Sequence, residues 1–172
     1  MATYKLLTYY TLPSDVAGTV TLSSIDQGYD DLMIYTSCRA GSSGNFNTGT
    51  DVNIQQFNGS AASFTGQTGY AYGTTFGADT GGNRIGQQTG NLATTGSFAI
   101  GWAYLANYTS ATTNKQFLMQ SGYAQASGPY FTQDVTYGRW DGSAAISSIT
   151  FVGGGSSFQA GSVFALYGIK RS

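Results

Sequence analysis

Short segments whose side chains alternate between two faces, separated by glycine-rich turns, dominate this chain. The clearest is Asp31–Arg39, which places Leu32 and Ile34 on one face and Met33 and Tyr35 on the other. A period of two is the spacing of a β-strand, because successive side chains point to opposite sides of the sheet. The chain has 25 glycines, and each would cost roughly 1 kcal/mol inside a helix. The pattern predicts an all-β protein with no helix.

The alternating segments define about nine or ten strands. They cover residues 3–10, 18–22, 31–39, 51–57, 97–105, 115–123, 135–140, 145–152 and 162–170. Many short strands with turn signals between them are typical of β-sandwiches. We therefore expect one domain over residues 1–172, folded as an antiparallel two-sheet β-sandwich of the jelly-roll type.

Residues 58–96 form a glycine-rich excursion from this regular pattern. Tyr70, Tyr72 and Phe76 are interleaved with its glycines, and short strands are predicted at residues 70–76 and 83–87. Long irregular stretches in compact domains are commonly functional. We predict that these three aromatic residues contact another subunit or a capsid, the alternative being that the excursion only connects strands.

The alternation also predicts which residues form the core. The expected core residues are Leu32, Ile34, Val52, Ile54, Phe98, Ile100, Trp102, Phe117, Ile146, Ile149, Phe164 and Leu166. Opposite Ile100 and Trp102 lie the small residues Ala99, Gly101 and Ala103, which suggest that another layer approaches closely. The final strand is apolar on both faces, so we expect it to be central or covered.

Charge and composition exclude several classes of partner. The seven Lys and Arg residues are scattered along the chain and form no basic cluster that could bind the phosphates of nucleic acid. No apolar run is long enough to span a membrane, and no secretory signal precedes residue 10, so synthesis in the cytosol is expected. Cys38 is the only cysteine and is interpreted as a small buried hydrophobic residue.

The residues that usually carry catalysis are missing. Histidine and glutamate are absent and the eight acidic residues are all Asp, which excludes Ser-His and Cys-His nucleophile pairs and leaves too few ligands for zinc. Four of the eight, Asp15, Asp26, Asp79 and Asp141, stand in turn contexts. A calcium ion at Asp30 and Asp31, or a hydrolase built on two Asp residues, are the minor alternatives. We expect no enzymatic activity and no cofactor.

The C-terminal segments carry a family resemblance. Residues 140–151 (WDGSAAISSITF) and 157–170 (SFQAGSVFALYGIK) resemble the final strands of small virion proteins of tailed bacteriophages. Residues 23–32 (SSIDQGYDDL) and 105–117 (LANYTSATTNKQF) look similar to earlier elements of that family. These are structural motifs without catalytic residues.

The resemblance implies a jelly-roll domain on a phage particle, often in trimers. We therefore expect a non-enzymatic protein of the virion, most specifically a capsid decoration (cement) protein that binds the major capsid protein or another virion protein. A tail or head fibre, a receptor-binding component, or a carbohydrate-binding module are the alternatives. Low charge and abundant Tyr and Phe also favour a symmetric homo-oligomer, with a trimer expected.

Overall fold

The computed structural model describes residues 2–15, 18–41, 50–90, 93–94, 96–124, 131–154 and 157–171. These residues contain strands and turns and no helix, so none of them forms a helical membrane span. The strands are β1 (Thr3–Thr11), β2 (Thr19–Leu22), β3 (Asp31–Arg39), β4 (Thr50–Phe57), β5 (Ser60–Ala61), β6 (Phe64–Tyr72), β7 (Thr75–Thr80), β8 (Arg84–Thr89), β9 (Ala99–Leu105), β10 (Lys115–Ala124), β11 (Phe131–Trp140), β12 (Ile149–Gly153) and β13 (Val163–Lys170). The all-β prediction is confirmed.

The strands join into one large mixed sheet that branches at β3. One arm runs β1-β13-β3-β9-β10-β11-β6-β7 and is antiparallel throughout. The other arm runs β2-β12-β4-β8 and reaches β3 through a short parallel pairing, Cys38 with Gln88 and Arg39 with Thr89. As expected, the last strand is central in its arm, between β1 and β3.

Both arms bury their apolar side chains in one cluster. Ile34 and Leu166 come from the first arm, and Val52, Ile54 and Phe151 come from the second. Phe151 stacks on Phe164 with ring centroids 5.1 Å apart, which joins β12 of the second arm to β13 of the first. The sheet therefore folds over on itself around a shared core, and nine of the twelve expected core residues are buried there.

Strand β9 faces the opposite way from the prediction. Ile100 and Trp102 are 58% and 38% exposed, and Phe98 is only partly buried, whereas Ala99, Ala103 and Leu105 are buried. The reason is the close passage of β8: a Cβ at Gly101 would lie 3.0 Å from Gly86 Cα. The small residues face this neighbouring backbone, as their size suggested, and the large ones are left on the outside.

The glycine-rich stretch is more regular than expected. Residues 58–96 contain four strands, β5 to β8, instead of mainly loops. The strand predicted at residues 70–76 spans the turn of the β6–β7 hairpin, where Gly73 has a φ of 58°. Glycines permit the pairing of β6 with β11 next to Gly82. Gly66 and Gly138, which are partners in this pair, lie so close to Gly82 that side chains would not fit.

Candidate functional site: the outer face of the long arm

The long arm leaves one side of its sheet uncovered, and we call this side the outer face. Tyr35, Trp102, Gln120 and Val135 are cross-strand partners in one row, and all four are exposed. A second row, two residues along the strands, passes through Leu6, Tyr167, Met33, Tyr104, Leu118 and Tyr137. A third row passes through Ile100, Gly122, Gln133, Ala71 and Phe76. None of the residues in these three rows is charged, and most are apolar or aromatic. A charged residue of this face, the exposed Arg139, lies in the next row opposite Gln116.

Strand β1 is the free edge of this arm and is unusually hydrophobic. Among the described strands it pairs only with β13. Tyr4, Leu6, Tyr9 and Tyr10 on it are 62%, 48%, 60% and 40% exposed. Exposed hydrophobic edge strands promote association with other chains, and soluble monomers usually avoid them. The exposed side chains make β1 a candidate contact surface.

A groove opens in the outer face where a side chain is missing. Gly122 stands in the third row between Ile100 on β9 and Gln133 on β11. Around this gap Tyr35, Trp102, Gln120 and Phe131 rise from the surrounding strands and enclose about 460 Å³. We call this depression the Gly122 groove. A larger and shallower depression of about 790 Å³ lies near Tyr137.

The three predicted contact residues all lie on the β6–β7 hairpin but not on one surface. Phe76 is 82% exposed on the outer face. Tyr70 and Tyr72 project from the other side of β6, the side that also carries the buried Thr68. Tyr70 leans over Gly77, since a Cβ there would lie 2.4 Å from the tyrosine ring. The hairpin thus separates Phe76 from the two tyrosines, and their contact role stays a prediction.

The inner side of the same strands holds a charged cluster around Arg84. Its guanidinium bonds Asp134 at 2.7 Å and Asp51 at 2.9 Å, and Asp79 lies 3.9 Å away. Gln87 also donates to Asp134, which is fully buried. Burial raises the pKa of both Asp51 and Asp134, against the opposing effect of Arg84. The cluster is an ion-pair network that runs from the buried Asp134 to the exposed Asp79.

The raised pKa of Asp134 gives a pH prediction. Its pKa exceeds the unfolded value of 3.8, so its contribution to stability is greatest below pH 3.8 and is lost as pH rises through the folded-state pKa. We expect wild type to be most stable relative to Asp134→Asn at low pH and to lose that relative advantage toward neutrality. Urea unfolding of both proteins at several pH values measures this. An advantage that grows with pH would show that the attraction of Arg84 outweighs burial.

Asp30 and Asp31, the alternative calcium ligands, are already held by the C-terminal segment. Asp30 accepts bonds from the Arg171 backbone N–H at 2.7 Å and from Lys170 Nζ at 3.3 Å. Asp31 accepts from the Asn107 backbone N–H and from the Tyr104 hydroxyl, and Arg171 Nε lies 3.3 Å away. These contacts tie β3 to the end of β13 and give both carboxylates protein partners.

The remaining candidate residues show no reactive arrangement. Cys38 is fully buried, and burial raises the pKa of its thiol, which keeps it protonated. Across the described ranges, no three residues of the His, Cys, Asp and Glu types converge on a possible metal position. The outer face is thus the feature of this fold best suited to recognition.

Comparison with known proteins identified no similar protein. No family model, no curated protein and no solved structure matches the chain. The resemblance to phage virion proteins therefore stays a prediction, and the proposals below depend on the geometry.

Sequence reasoning did not identify two exposed parts of this site, strand β1 and Trp102. The strand at residues 3–10 was predicted, but nothing in its sequence distinguishes an edge strand from a central one. For Trp102 a signal was present: Ala99, Gly101 and Ala103 are a row of small residues. Such a row marks the tightly packed side of a strand, so the large residues opposite should have been assigned to the surface.

Proposed function

We propose that this protein is a non-enzymatic structural component of a phage particle. The most specific form of the proposal is a capsid decoration protein that works as a homo-oligomer, with three copies, and is seated on the major capsid protein or another virion protein. The phage assignment rests on the sequence resemblance, and the observation that carries the assembly role is the hydrophobic edge strand β1, exposed in the described structure. An edge of this kind suits a protein that is assembled with others in its working state.

Three features support an assembly role. The three described rows of the outer face carry no charge, so they add no electrostatic repulsion between copies. Aromatic residues, which dominate β1, are enriched in the cores of protein interfaces. The eight strands of the long arm span roughly 38 Å at the usual strand spacing, wide enough for the patch of about 800 Å² that each partner buries in a standard interface.

We further propose that the two arms are the two layers of a jelly-roll sandwich. The shared core between the arms and the close approach of β8 to β9 support this arrangement. The parallel contact between β3 and β8 would then be a bridge between the layers at one end. The Arg84 cluster would lie inside the sandwich, where it holds strands together and performs no chemistry.

The oligomer proposal is tested by placing charges on β1. Leu6→Lys with Tyr9→Lys introduces two ammonium groups into the proposed contact, and burying them unpaired is costly. We expect wild type to sediment at three times the monomer mass and the double variant to sediment as a folded monomer. Gln55→Lys with Thr19→Lys is the matched control, because both positions are exposed and lie on the other arm. A wild type that is monomeric at micromolar concentration would refute the trimer.

The place in the particle is tested by copy number. A decoration protein repeats with the capsid lattice, so purified particles should contain it in roughly hundreds of copies, since closed symmetry repeats each contact many times. Quantitative gel densitometry against the major capsid protein gives the ratio. A few tens of copies or fewer would favour a tail or fibre component instead.

A further inference from the structure

We propose that the Gly122 groove binds a neutral sugar of an oligosaccharide. The groove is separate from the hydrophobic edge on β1, and this inference does not depend on where in a particle the protein resides. Three properties of the groove carry it: its aromatic walls, its free amides and its lack of charge.

The aromatic side chains of the groove form a surface on which a sugar ring can stack. Trp102 and Tyr35 are direct cross-strand partners, which places their Cβ atoms about 5 Å apart on the same face. Both keep more than a third of their surface exposed although neighbouring strands surround them. The negative face of an aromatic ring attracts the polarised C–H groups on the apolar side of a pyranose ring. A sugar can lie on this platform without any charged contact.

Two glutamines supply the polar part of the site. Gln120 is the cross-strand partner of Trp102, and Gln133 is the partner of Gly122. Their positions are diagonal neighbours on β10 and β11, roughly 7–8 Å apart. Each amide offers both a donor and an acceptor, which matches the dual character of a sugar hydroxyl. Neither side chain bonds to any part of the chain that the structure describes, whereas nearby Gln116 already accepts a bond from Tyr137.

The missing side chain at Gly122 provides the space. With Ile100 and Phe131 at its sides, the groove of about 460 Å³ is within the range of small-molecule sites, roughly 300–1,000 Å³. Among the described residues, no Lys, Arg or Asp lines it. Phosphorylated, sulfated or sialylated ligands would therefore find no counter-charge, and neutral hexoses remain the best match. A proline-rich peptide would need a longer track of aromatic ridges than this short groove provides.

The probes are an array of neutral and acidic glycans, followed by titration of lactose and cellobiose against the intact protein. The chain has two tryptophans, and Trp102 lies in the groove, so quenching of its fluorescence reports occupancy. We expect neutral glycans to bind and acidic ones not to bind. We expect Trp102→Ala and, separately, Gln120→Ala with Gln133→Ala to weaken binding at least tenfold. Trp102→Phe should keep most of the binding.

The matched control is Leu118→Ala, on β10 in the neighbouring row and outside the groove, which should bind like wild type. Thermal melts check that each variant is folded. If Trp102→Ala fails to fold, the glutamine double variant decides the question, because both of its positions are exposed. An array without neutral-glycan signal, binding unaffected by the groove variants, or binding of a proline-rich peptide in place of sugars would overturn the proposal.

Discussion

Deletion of residues 162–172 is expected to prevent folding altogether. The deleted segment contains β13, which pairs with β1 on one side and β3 on the other. Phe164 and Leu166 are fully buried in the core, and Ile169 is nearly so. Burial of each such side chain contributes about 1.5–3 kcal/mol, so their loss together removes most of the stability of an ordinary domain, about 5–15 kcal/mol. Circular dichroism and urea unfolding of the truncated chain are the measurements.

A point variant in β13 tests the same contribution to stability with a smaller perturbation. Phe164→Ala leaves the strand in place but empties the contact with Phe151 and Phe158, and we expect a loss of about 3–5 kcal/mol. Val163→Ala, at a partly exposed neighbouring position, should cost much less. A truncated protein that remains soluble and melts cooperatively would show that β13 is not required for the core.

The second large effect is expected from Lys115, a fully buried lysine at the start of β10. Its ammonium donates to the carbonyls of Ser110, Thr113 and Ser143, and lies 5.6 Å from the centre of the Trp140 ring. Lys115→Met keeps the length of the side chain but leaves three carbonyls without their donor. Ser110 is half-buried and Thr113 and Ser143 are exposed, so water can replace part of the lost bonding. Because a hydrogen bond to a charged group contributes about 1.5–3 kcal/mol, we expect a loss of about 2–3 kcal/mol in the free energy of unfolding.

Lys170→Met is the matched control for Lys115. Lys170 is exposed and pairs with Asp30 at the surface, so its replacement should change stability by no more than about 1 kcal/mol. Chemical denaturation of the two variants beside wild type gives both values. Equal effects at the two positions would mean that solvent reaches the loop around Lys115 and replaces the lost donor.

Sequence patterns predicted the strands well because alternation is a local property. Asp31–Arg39 and the final strand were placed with nearly their observed bounds. The branch at β3 was not predictable, since it depends on which distant segments pair, and no local pattern encodes the contact of Cys38 with Gln88. Strand β9 shows the same limit: its two faces were recognised, but the identity of the inner one was set by the close passage of Gly86.

The candidate site was predicted least well. Tyr70, Tyr72 and Phe76 were selected because they interrupt a glycine-rich stretch, yet the hairpin that contains them divides them between two faces. Whether a strand's side chains are exposed depends on whether another layer of the fold covers them, and this cannot be read from the sequence of the strand. The exposed residues of β1 and the Gly122 groove were visible only after the strands had been placed in order.

The pairing of β1 with β13 has a consequence for how this protein reaches its native state. Nearly the whole described chain separates these two strands, and structures dominated by such distant pairings fold slowly. Until β13 is seated between its neighbours, β1 has no partner, and its tyrosines remain available to other unfolded copies. Refolding from denaturant should therefore be a competition between completion of the sheet and aggregation, with a yield that falls as the protein concentration rises.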